Sequence, residues 1–191
     1  MKVSLGGKPL IYPTPVFVIG TYDKKGKPNV MTASWSGICC SDPPCLAVSL
    51  RKATYTYNNM VEKKAFTVNV PSKKYVKETD YFGSVSGRNL DKLFDTKLTA
   101  IKSEIVNAPY IKEFPLILEC QVVHKFELGL HTQFVGAIKD IKIDESCLNS
   151  DGKPSIELVD PFVYAPGKGG YYSIGERLGT AYTIGDRFKH Q

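Results

Sequence analysis

The sequence predicts a mainly β fold, a Greek-key type of barrel interrupted by short helical insertions. Three observations predict it. Runs rich in β-branched and aromatic residues recur across residues 16–70 and again across 116–143, separated by Gly, Pro and Asp turns. Helical periodicity is confined to short stretches beginning near Thr54 and Ser72. Strand–helix alternation is not sustained, which argues against a parallel α/β fold. The 191 residues, 42% hydrophobic and 23% charged, suit one domain with an ample core spanning residues 1–191.

The elements follow in order. Residues 16–22 and 29–35 are two extended runs joined by Asp23-Lys24-Lys25-Gly26, a hairpin signature. Ser41-Asp42-Pro43-Pro44 breaks the chain before a third strand over 45–50. Thr54 is placed to cap a helix whose Tyr57, Met60 and Val61 share one face. Residues 66–70 form a fourth strand ended by Pro71, and Ser72 is placed to cap a second helix through Tyr75, Val76 and Thr79. Residues 83–93 read as loop with a short turn of helix. Residues 116–126 form a long strand that Gly129-Leu130-His131 turns back into 132–143, whose alternation is irregular from Val135 onward. Residues 151–191, rich in Gly, Pro and Tyr, read as a C-terminal tail docked on the barrel.

Composition narrows the function classes. No apolar run approaches the roughly 20 residues of a membrane span, and the start lacks a signal-peptide core, so a cytoplasmic protein with no membrane partner is expected. Five cysteines, at 39, 40, 45, 120 and 147, form no CxxC pair and no zinc-ligand spacing. They are expected as buried or half-buried thiols, with no metal site. The net charge of +6 suits an anionic ligand. It also admits a basic β-barrel that binds nucleic acid, but the lysines form no dense stripe interleaved with aromatics, which disfavours that alternative.

Two segments suit an anion. Ser49, Leu50 and Arg51 end a strand that runs into the helix N-terminus at Thr54, where unpaired N–H groups and a guanidinium fork favour phosphate. Ser86, Gly87, Arg88 and Lys92 concentrate hydroxyl, backbone and cationic groups in one loop. The first segment equally fits a capped helix with solvated bases, and the second a polar surface loop. Along Met31, Thr32, Ala33, Ser34 and Trp35, small and hydroxyl side chains would let a flat ring lie on the strand; an ordinary hairpin strand with Trp35 in the core reads the same way. His131 stands in a hairpin turn where it could donate a proton, whereas His124 reads as structural and His190 lies in the tail. There is no P-loop, GxGxxG, GxSxG or HExxH pattern. Anion sites without nucleophile–base machinery imply that a bound cofactor does the chemistry.

Taken in order, residues 12–16, 29–35, 41–44, 49–55, 66–71, 86–93 and 129–132 resemble the flavin reductase-like, FMN-binding split-barrel family, most closely its flavoredoxin branch, which the Cys39-Cys40 pair also resembles. The resemblance implies a homodimer with one FMN per subunit, its phosphate held around Ser49, Arg51 and Thr54 with help from the loop through Lys92. It implies that Met31 to Trp35 line the isoalloxazine, with Asn69 and Pro71 close by, and that the tail packs on the barrel or on the partner subunit. Many members carry Gly-Asp-His where this chain has Gly129-Leu130-His131. Two roles follow: an NAD(P)H:flavin oxidoreductase with His131 as catalytic residue, or a non-catalytic electron carrier served by a redox protein.

Overall fold

The structure, a computed structural model, describes residues 1–188; His190 lies outside the described residues. Seven strands form one antiparallel sheet: β2 (Phe17–Tyr22), β3 (Pro28–Ala33), β4 (Ser36–Ser41), β5 (Pro44–Arg51), β6 (Ala65–Val70), β9 (Leu116–Leu128) and β10 (His131–Ile143), in the order β3-β2-β6-β9-β10-β5-β4. The sheet curls, because Ile19 and Ala33 near one edge meet Val48 and Leu50 near the other in one buried cluster with Phe66 and Phe134. Each of the larger of these side chains contributes about 1.5–3 kcal/mol by leaving water.

The helices complete the layers. α1 (Tyr55–Lys63) begins where the Thr54 hydroxyl accepts the Tyr57 N–H at 3.3 Å, and ends at Lys64 in the left-handed region. α2 (Val76–Ser84) and α3 (Lys92–Thr96) bury Phe82 and Leu93 against Val18, Val30, Phe114 and Ile117 on the outer face of the sheet. β7 (Ala100–Lys102) pairs with β8 (Pro109–Ile111). Past β10, α4 (Ile156–Val159) leads to β11 (Phe162–Ala165) and β12 (Gly170–Ser173), which form a small sheet with β1 (Thr14–Pro15). The tail therefore docks on the N-terminal segment of its own chain as far as Ser173. No helix among the described residues is long and apolar enough to cross a membrane.

Several expectations are corrected. The strand expected over 29–35 ends at Ala33, and Ser34 and Trp35 form the bend into β4. Trp35 is half-buried there, outside the core, and its carbonyl accepts the Ser49 N–H at 2.9 Å. β4 itself was hidden because Gly37, Cys39 and Cys40 carry no strong strand signal, while Asp42-Pro43 is only the tight turn between β4 and β5. Cys39 and Cys40 are exposed on this edge strand, contrary to the expectation of burial, which holds for Cys45, Cys120 and Cys147. Ser72 makes no side-chain cap; a 3-10 turn over Lys73–Tyr75 precedes α2. The tip of the β9–β10 hairpin is Gly129-Leu130, with Gly129 at φ +59°, and His131 is already the first residue of β10. The irregular alternation of β10 has its cause in two register shifts, at Val135/Gly136 and Ile138/Asp140.

Candidate functional site

The two predicted anion segments meet. A cleft of about 320 Å³ lies between the N-terminus of α1, strand β3 and the 83–92 segment. Its walls include Met31, Arg51, Thr54, Ser86, Gly87, Arg88 and Lys92 of the predicted residues. No carboxylate lines it, and three cationic side chains do.

Local bonding explains why these groups stay together. Thr54 donates its hydroxyl to the Arg51 carbonyl at 2.9 Å while capping α1, so it serves the turn and leaves other first-turn N–H groups to a ligand. Arg88 donates to the Ala53 carbonyl at 2.9 Å and sets its guanidinium 5.7 Å from the Tyr55 ring centre. This ties the 83–92 segment to the start of α1. Asn29, buried in the floor, donates to the Thr56 hydroxyl at 2.9 Å, and Asn59 and Asn29 both reach Thr21. A side chain at position 87 would collide with the Asn29 amide, so glycine lets the loop settle on that floor. Arg51 is exposed and has no counter-ion among the described residues.

Lys92 is the unusual cation. The residue is 5% exposed, and its ammonium donates to the Val30 carbonyl at 2.9 Å and the Phe82 carbonyl at 2.8 Å. Burial pushes its pKa down to about 8. It is first a tie between β3 and α2, and it leaves one donor for the cleft. Asp91 beside it caps α3 through the Phe94 N–H and pairs with Lys27 at 3.1 Å, and these contacts hold its carboxyl below the usual range.

A second groove, of about 440 Å³, adjoins the cleft at Gly83 and Ser84 and contains Thr32 and Ser34. Tyr164 and Tyr171 of the tail form its far wall, held by a 2.9 Å bond from the Tyr171 hydroxyl to Asp80 on α2. Thr32 donates its hydroxyl to the Thr79 carbonyl and therefore offers a ligand only acceptor capacity.

The remaining predicted residues line neither opening. Ala33 and Leu50 face the core. Ser49 is half-buried opposite Gln133. Asn69 is fully buried, donating to the Val18 carbonyl and Thr67 and accepting the Ile111 N–H at 2.7 Å, so it braces three strands. Pro71 is buried beyond β6. His131 is the register partner of Arg51 across β10 and β5, which sets it beside the mouth of the first cleft. The sequence reading missed Tyr55, Thr56 and the tail tyrosines. Only Thr56 carried a signal, as the next hydroxyl in the first turn of the helix.

The set of residues fits a phosphorylated flavin: a cationic end without carboxylates, and next to it a groove walled by hydroxyls and aromatic rings. Comparison with known proteins agrees. Residues 10–173 match the flavin reductase like domain family, and the chain belongs to that family. It is a flavin-binding, electron-transferring protein of the flavin reductase-like class. Among solved structures it is similar to the flavoredoxin of Desulfovibrio vulgaris (Miyazaki F), with 52% identity, a TM-score of 0.93 and coverage of 97% of this chain and all of that one. It is also similar to the flavoredoxin of Methanosarcina acetivorans, at 34% identity and TM-score 0.92 over 98% of this chain and 99% of that one. An uncharacterized protein of Archaeoglobus fulgidus shares 36% identity over 76% of this chain and 80% of its own length.

Proposed function

We propose that this chain binds FMN, one per subunit of a homodimer, and passes electrons through it in the cytoplasm. The observation that carries the reading is the convergence of Arg51, Arg88, Lys92 and the first turn of α1 on one cleft free of carboxylates. Riboflavin has no group that would use this end, whereas a phosphate monoester does. FMN, when bound, supplies hydride or single-electron acceptance at its ring. Met31 and Thr54 line the phosphate cleft, Gly83 and Ser84 join it to the ring groove, and Thr32, Ser34 and the Tyr164–Tyr171 wall bound that groove and limit water. Five cysteines free of disulfides support a reducing compartment.

The electron donor is either a redox protein, as the flavoredoxin relatives suggest, or NAD(P)H. A histidine at the start of β10, His131, favours the reductase, whereas Leu130 in place of an acidic residue favours the carrier. The test is anaerobic. Purified protein is reconstituted with FMN and its visible spectrum followed on addition of NADH or NADPH. Rapid bleaching that slows in His131→Ala identifies the reductase; flavin reduced only by a chemical or protein donor identifies the carrier. A protein that takes up no FMN overturns both.

A further inference from the structure

β4 lies at the edge of the large sheet and pairs only with β5 among the described residues. Near its end the register shifts: Ile38 faces Leu46 and Cys40 faces Cys45, which leaves Cys39 as the extra residue of a bulge. Two adjacent thiols thus stand opposite a third. We propose that Cys40 and Cys45 form a redox-active dithiol that reduces a low-molecular-weight disulfide and closes into a cross-strand disulfide. Neither the cofactor cleft nor the ring groove has a cysteine in its lining, so the pair is a second two-electron site whether or not a flavin is bound.

Backbone spacing permits this bond. Residues directly opposite in an antiparallel pair have Cα atoms about 4.5–5.5 Å apart, with their side chains on the same face. A disulfide spans Cα separations of about 4.4–6.8 Å, so Cys40 and Cys45 can close without moving a strand. Neighbouring residues, about 3.8 Å apart, fall short of that range, which disfavours a Cys39–Cys40 bond. The turn Ser41-Asp42-Pro43-Pro44 keeps the two strands in register, because its prolines restrict the backbone. In the reduced protein the Cys40 thiol donates to the Asp42 carbonyl at 3.3 Å, beside that turn.

Exposure sets the order of events. Cys40 is exposed and Cys45 is 6% exposed, so an incoming disulfide R–S–S–R meets Cys40 first. The Cys40 thiol gives its proton to water, and its thiolate attacks one sulfur. The S–S bond breaks, a mixed disulfide forms on Cys40, and the released RS⁻ takes up a proton. Cys45 then loses its proton and attacks the Cys40 sulfur, which expels the second RS⁻ to be protonated in turn. One disulfide is reduced to two thiols and the protein dithiol is oxidised, with no other reactant. Cys39 lies outside the register. Desolvation, with the nearby Cys45 and Cys40, raises its pKa, so it offers less thiolate than a free thiol. Only four residues lie between Cys40 and Cys45, and so short a loop gains little chain entropy from a cross-link. The bond therefore suits cycling rather than a structural staple, as do the transient disulfides of reducing compartments.

The full chain is equilibrated anaerobically with mixtures of reduced and oxidised glutathione. Intact mass, thiol counting after denaturation and peptide mapping are then read. Wild type is expected to lose two of its five thiols to a Cys40–Cys45 link, and to regain them as the buffer is made more reducing. Cys45→Ala should stop at a glutathione adduct on Cys40, because no thiol is left to displace it. Cys40→Ser should form no internal disulfide. Should Cys45→Ala fail to fold, Cys40→Ser, at an exposed position, still decides. A wild-type protein that keeps all five thiols overturns the proposal, as does one that holds glutathione on Cys40 without closing. A link from Cys39 to Cys40 or to Cys45, or between two chains, overturns it as well.

Discussion

The floor of the cofactor cleft and the far half of the β9–β10 ribbon are both antiparallel hairpin structure, yet they are finished in opposite ways. Under the cleft, Asn29, Thr56, Thr21 and Asn59 bond to one another, and Lys92 answers two backbone carbonyls. In the ribbon, β6 pairs with β9 only as far as Gln121, so beyond Val122 the outer edge of β9 has no strand partner among the described residues. Val123, Phe126, Leu128 and Leu130 stand there 45–64% exposed. A long apolar edge strand left open to water invites association. The difference teaches that the first region is complete within one chain, whereas the second leaves an open edge that the proposed homodimer would cover.

The largest effect should come from breaking the second region. Phe126→Lys places a charge on the bare edge, and a two-fold interface repeats it, at on the order of 2 kcal/mol or more per copy. Light scattering should show the dimer dissociating at micromolar concentration, with the circular dichroism spectrum unchanged. A dimer of undiminished stability would mean that this edge is not the interface.

Breaking the first region costs less. Arg51→Ala removes a charged, forked partner of a phosphate, about 1.5–3 kcal/mol, so FMN should dissociate about 10- to 150-fold more readily. Equal retention by the variant would place the phosphate elsewhere.

The two regions were not equally legible in the sequence. Arg51 and Thr54 announce themselves because a strand ending in Arg and running into a hydroxyl-capped helix is a local pattern, and the local pattern survived folding. Asn69 did not mean what its place beside the other motifs suggested. Its amide is consumed by Val18, Thr67 and Ile111, partners 51, 2 and 42 residues away, and no local reading reveals that. Lys92 was read as a loop cation for an anion, and its ties to the Val30 and Phe82 carbonyls arise only where β3 and α2 close over it. Tyr164 and Tyr171 were lost in a Gly-rich tail, since their position depends on β11 finding β1 across 150 residues. The strands with steady alternation were read to within a few residues. β4 and the pair β7–β8, short or poor in β-branched residues, were not.

A subtler test uses the Lys92 proton. In the folded chain burial pushes its pKa from 10.5 down to about 8, whereas the unfolded chain keeps the ordinary value. Between those limits the unfolded state holds more protons, so this group makes folding more favourable as pH rises through that window. The cleft meanwhile loses a positive charge. FMN affinity should therefore fall between pH 7 and pH 9, by about three- to tenfold for one charge near a phosphate. Lys92→Met should flatten this dependence. A wild-type affinity constant across that range would show that the ammonium does not act on the phosphate.

The smallest effect is kinetic and tests the other edge of the sheet. Cys39 and Cys40 are exposed on β4, and Cys45, Cys120 and Cys147 are buried. A thiol reagent should label two cysteines promptly in the native protein and the other three only on unfolding. Desolvation and the neighbouring Cys45 and Cys40 raise the Cys39 pKa, so Cys39 carries less thiolate at neutral pH than a free thiol. Cys39→Ser should therefore remove a phase slower than that of a free thiol. Burial of the same strand in a dimer would suppress both phases in wild type and restore them in Phe126→Lys, which makes thiol counting a direct check on whether the interface reaches from the β9 edge to β4.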